Sequence, residues 1–94
     1  MSETIDDLTV SYEENGQETT KELAKEVLTK GAWTTIMFQY QDWDAKKEEF
    51  GPVKFTIRRY QKRNGEYQQK SKFNISSAAQ AEGIIAALQG WIKE

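Results

Sequence analysis

The stretch Val53–Ile75, VKFTIRRYQKRNGEYQQKSKFNI, decides the fold. Two runs rich in β-branched and aromatic residues flank Asn64-Gly65, a strong short-range hairpin signal. Val53–Lys62 and Tyr67–Ile75 are therefore predicted to be paired strands. The turn fixes which side chains share a face. A two-residue turn pairs Arg63 with Glu66 and puts Phe55 and Ile57 on the side of Lys70 and Lys72. A three-residue loop, Arg63-Asn64-Gly65, pairs Lys62 with Glu66 and sets Val53, Phe55 and Ile57 opposite Ile75, Phe73 and Ser71. A one-residue slip inverts every side chain, so the apolar pattern selects the three-residue loop. The other face then carries Lys54, Thr56, Arg58, Tyr60 and Lys62 opposite Asn74, Lys72, Lys70, Gln68 and Glu66, with Arg58 set directly against Lys70.

Upstream, Trp33–Trp43 alternates Ile36, Phe38 and Tyr40 against Thr35, Met37 and Gln39, which predicts another strand. Asp44–Pro52 reads as a charged loop closed by Gly51-Pro52. Downstream, Ser77 and Gln80 form a capping box for a helix. Its apolar stripe is Ala81, Ile84, Ile85, Leu88, Trp91 and Ile92, beside a small-residue stripe of Gly83, Ala87 and Gly90. Towards the amino terminus, Thr19 with Glu22 reads as a cap for a short helix with Leu23, Ala24, Val27 and Leu28 on one face, stopped at Lys30-Gly31. Residues 1–16 show no period and read as a mobile tail. The expected division is residues 1–30, an acidic tail and short helix, and residues 31–94, the core.

The chain has 94 residues, a net charge of −2 and no cysteine or histidine. The charge is unevenly placed. Residues 1–26 hold eight acids (Glu3, Asp6, Asp7, Glu13, Glu14, Glu18, Glu22, Glu26) against Lys21 and Lys25, a balance of −6. Residues 54–72 hold seven bases (Lys54, Arg58, Arg59, Lys62, Arg63, Lys70, Lys72) against Glu66, a balance of +6. Such a split matters more to a polyanion than the total does. Without His or Cys, and with serines lacking an activating partner, catalysis is not expected, and neither is a metal or cofactor. No stretch is apolar enough to span a bilayer and Met1–Asp7 does not read as a signal peptide, so a cytoplasmic protein is expected.

Bases interleaved with an aromatic suit a single strand of nucleic acid, cations meeting phosphates and ring faces meeting unpaired bases. Lys54, Arg58, Tyr60, Lys62, Lys70 and Lys72 are the candidate contacts; Arg59 and Arg63 fall on the opposite face. Tyr40, Trp43 and Phe50 are further candidate stacking residues, with core or dimer contact as their competing role.

Residues 31–92 resemble the transcriptional positive cofactor four family, the single-stranded-DNA-binding transcriptional coactivators, in its bacterial and phage branch. The resemblance runs through GAWTTIMF, FGP, IRRY (Ile57–Tyr60), the Asn64-Gly65 turn, K-x-K-F-N-I-S (Lys70–Ser76) and the closing helix. It implies an α+β fold: a curved four-stranded antiparallel sheet followed by a helix. Only three strands are evident, so the fourth would need a break near Gln39–Asp42. It also implies a homodimer joined through the helices, at Gly83, Ile84, Ala87, Leu88, Gly90 and Trp91. The implied ligand is single-stranded or unwound DNA, with RNA of the same chemistry as the other choice. The implied setting is transcription regulation, replication or recombination, with proteins of those processes as partners. Arg58, Tyr60 and Lys72 match the family's binding strand residues, and Phe50 its loop aromatic. The chain departs from the eukaryotic members at Gln61, where they carry Trp, and at Phe73, where they carry Gly. A competing function is an adaptor whose basic face binds an acidic protein. Two readings stand for residues 1–30: a segment that folds back over the basic face as a competitor for DNA, so that deleting residues 1–18 tightens binding, or a solubilising tail.

Overall fold

In a computed structural model describing residues 4–93, Asn64 and Gly65 have φ of 52° and 80°. These values belong to a two-residue hairpin turn with both central residues left-handed, and Arg63 faces Glu66 across it. The three-residue loop is thus corrected. Parity is restored inside the ladder instead. Arg59 pairs with Ser71 but Tyr60 pairs with Gln69, so Lys70 is a one-residue bulge. Beyond the bulge Phe55 and Ile57 face Ile75 and Phe73, while Thr56 and Arg58 face Asn74 and Lys72. The apolar and polar sides separate as the sequence demands, but the pairing is displaced by two residues and Arg58 opposes Lys72 rather than Lys70.

This hairpin comprises β5 (Lys54–Arg63) and β6 (Glu66–Ile75) of a curved antiparallel sheet. The preceding strands are β1 (Tyr12–Glu14), β2 (Gln17–Thr29), β3 (Trp33–Asp44) and β4 (Glu49–Phe50). Their order is β1-β2-β3-β5-β6, with β4 paired to the end of β3. The sheet therefore has six strands, not four, and β3 runs on without the break expected at Gln39–Asp42. Part of the charged loop is β4.

The amino-terminal helix is also corrected. Gln17–Thr29 is a strand paired along β3, with bulges where Leu23 and Leu28 lie between paired neighbours. Residues 17–29 thus belong to the same sheet as the later strands. Before it, Asn15-Gly16 (φ 52° and 82°) makes a second turn of the type found at Asn64-Gly65, and Glu14 faces Gln17 across it. Residues 1–16 are not a free tail where they are described. A 3-10 turn at Ile5–Asp7 leads into Leu8–Ser11, an extended strap that lies over one side of the sheet. Lys25 Nζ fastens it by donating to the Ile5 and Leu8 carbonyls at 2.6 and 2.7 Å.

The strap decides where the core is. Leu8 and Val10, 5% and 7% exposed, cluster with Ile36, Phe38, Tyr60 and Tyr67. Thr34 and Thr56 are fully buried on the same side. The side bearing Phe55, Ile57 and Phe73, read as the core face, is the less covered one: Phe73 is 52% exposed. Helix α1 (Ala78–Ile92) follows β6. Ser77 caps it, its Oγ accepting from Gln80 N, while Gln80 Oε1 reaches back to accept from Ser76 N. No residue of α1 is buried.

Candidate nucleic-acid interface

The strap covers the middle of the face that carries the basic row and leaves its two ends open. At one end is a groove of about 460 Å³, whose lining includes Arg58, Lys72, Asn74, Tyr40, Tyr12 and Asp42. Strap residues Thr9, Val10 and Ser11 also border it. Arg58 and Lys72 reach it from adjacent strands as a directly opposed pair. Neither is ion-paired among the described residues. Arg58 donates through Nη1 to Gln69 Oε1 at 3.1 Å, and its Nε is buried with no hydrogen-bond partner. Like charges held opposite one another weaken a sheet by roughly 0.2–1 kcal/mol, which an anion lying between them relieves.

The other predicted contacts are dispersed. Tyr60 is 5% exposed beneath Leu8 and Val10, so it is a core residue rather than a stacking platform. Burial raises its phenol pKa above the ordinary value of 10.0, and the Arg58 guanidinium opposes that rise. Lys54 is engaged with Asp42 at 3.1 Å. Both side chains are partly exposed, so the pair is worth about 0–1 kcal/mol. Lys62 lies at the start of the strap, in a cleft with Ile5, Val27, Lys30 and Tyr67, its ammonium 5.5 Å from the Tyr67 ring centre. Lys70 occupies the bulge and does not line the groove. Phe50 stands edge-on to Trp43, ring centres 5.2 Å apart, with Lys21 Nζ 5.3 Å from its ring. Arg59, assigned to the opposite face, lies over the Trp33 ring there at 4.4 Å.

The structure therefore brings together Arg58 and Lys72 and supplies different aromatics, Tyr12 and Tyr40. Tyr40 was among the candidates; Tyr12 was not. Its signal was Asn15-Gly16, the same dipeptide that marks the later hairpin, which places Tyr12 on a strand beside β2. Among the described residues no cluster of Asp, Glu, His or Cys has the makings of a metal site. Nor is any helix of the described residues long and apolar enough to cross a membrane. Comparison with protein-family models, curated proteins and solved structures found no match.

Proposed function

We propose that the chain is a non-enzymatic binder of single-stranded or unwound DNA that acts as a homodimer in transcription regulation, replication or recombination. The observation that carries this reading is the opposed Arg58–Lys72 pair, free of carboxylate partners among the described residues, in a groove that also holds two tyrosines. A phosphodiester bridges the two cations and an adjacent base meets a tyrosine ring, the combination a single strand offers and a stacked duplex does not. The resemblance to the cofactor family points the same way. Support for a second protomer comes from the exposed apolar residues of α1. Leu88, Ile85, Trp91 and Ile92 are 47%, 52%, 73% and 76% exposed. A methyl group built on Gly83 or Gly90 would meet nothing within 4 Å, so the protomer itself imposes no glycine there. A second copy laid against α1 buries this surface.

Titration of a labelled 20-nucleotide dT strand tests the reading. Arg58→Ala and Lys72→Ala should each weaken binding about tenfold. A wild type that fails to bind at 50 mM salt sinks the proposal. The salt slope locates the track. A strand confined to the groove neutralises about two phosphates per protomer and gives a log–log slope near −1.4; one running along Lys54, Arg58, Lys62, Lys70 and Lys72 gives about −3.5.

A further inference from the structure

Two apolar features of the chain stand in water. The first is a hollow of about 240 Å³ over β2, β3 and β5, whose lining includes Ala24, Met37, Gln39, Phe55 and Glu26. Ala24, Gln39 and Phe55 stand abreast in one row of the sheet, and Glu26 and Met37 in the next. These rows continue to Ile75 and, through Ile57, to Phe73, so the hollow opens on the side away from the strap. The second feature is the far end of α1. The helix touches β6 near its start, where Ala81 and Ile84 are half-buried. Its apolar face then runs out of the shelter of the sheet: Leu88 is 47% exposed, Trp91 73% and Ile92 76%. Lys93 follows as the last residue of the helix end. Among the described residues neither Glu26 nor Lys93 has an ion-pair partner.

We propose that Trp91 of one protomer seats in this hollow on a second copy of the chain, which returns its own Trp91 in the same way. The proposal rests on the homodimer reading and adds the contact that holds the dimer. A two-fold dimer needs a self-complementary surface, and a projection and a recess on one chain provide it. Here α1 projects its largest side chain and the sheet offers an apolar recess. Tryptophans that fill such pockets dominate the energy of many interfaces. The indole N–H needs an acceptor once water is excluded, and the Gln39 side-chain carbonyl or the Glu26 carboxylate supplies one. Lys93, two residues beyond Trp91, brings a cation to Glu26, and that charge match fixes the register of the two copies. The hollow of the same chain is not served by its own helix: α1 lies against β6, and Trp91 stays in water. Docking of this kind uses the far side of the sheet and leaves the Arg58–Lys72 groove open.

The chain has no cysteine, so introduced thiols report on this contact directly. Glu26→Cys and Lys93→Cys proteins, one of them tagged to change its mass, are mixed and oxidised, and a disulfide-linked mixed pair is expected. Ala24→Phe fills the hollow without altering α1. It should raise the dimer dissociation constant at least tenfold in sedimentation equilibrium while the urea midpoint of the sheet stays unchanged. A wild type that dimerises but gives no mixed disulfide, or whose Ala24→Phe variant dimerises as tightly, overturns the inference and leaves the homodimer standing. A wild type that sediments as a monomer overturns both.

Discussion

Burial holds the Tyr60 phenol protonated to higher pH than a free tyrosine, with the adjacent Arg58 working against that shift. The folded state thus binds the proton more tightly than the unfolded state. The stability this confers is complete below the ordinary value of 10.0 and is lost as pH rises through the folded value. Urea denaturation of wild type should therefore show a decline above pH 10 that Tyr60→Phe lacks; parallel declines in the two proteins would refute this. The same residue shows what a sequence leaves unsaid. Alternation correctly set Tyr60 on the side of Arg58 and Lys54, because strand period is a local property. Whether that side met solvent depended on Leu8 and Val10, about fifty positions away, which no local period reports. Deleting residues 1–18 therefore uncovers part of the core instead of merely removing negative charge.

At the scale of elements, β3, β5, β6 and α1 were legible because their local signals agree: alternation, an Asn-Gly turn, a capping serine. β2 was not, because KELAKEVL is a run of good helix formers. Its helical spacing yields to pairing along β3, and the two bulges at Leu23 and Leu28 record the mismatch between that spacing and a period of two. Register was legible in outcome but not in means. Apolar side chains demanded one parity, the turn supplied the other, and an extra residue in mid-strand reconciled them. This gives Lys70 a backbone role that differs from a charge role. Deleting Lys70 should make the ladder regular from the turn onward while leaving Arg58 opposite Lys72 and Thr56 opposite Asn74, so oligonucleotide affinity should change no more than about twofold. Lys70→Ala, which keeps the extra residue, should change it as little. Larger, equal losses in both variants would show that the charge matters and the bulge does not.

The whole protomer measures 47 × 38 × 17 Å, a slab with the strap on one side and α1 beside β6. Such a shape leaves Phe73 and the apolar residues of α1 in water. A dimer across α1 is expected in sedimentation equilibrium at micromolar concentration, and Trp91→Glu should shift the mass to that of one chain without unfolding the sheet. A wild type that sediments as a monomer would overturn this arrangement. The charge split takes on a clearer form at this scale. Acidic β1 and β2 lie towards one edge of the sheet and basic β5 and β6 at the other, so the molecule has an electrical polarity along the strand order. An approaching polyanion is oriented by that polarity before any contact forms.

The attachment of α1 has one more consequence. A fifteen-residue helix containing two glycines and no buried side chain is near the limit of what persists in water. If a second protomer supplies its packing, ordering of the last part of the chain becomes a function of concentration. Dilution would then melt α1 while the sheet and its groove persist, and the cell could set the order of the carboxyl terminus simply by how much of the protein it makes.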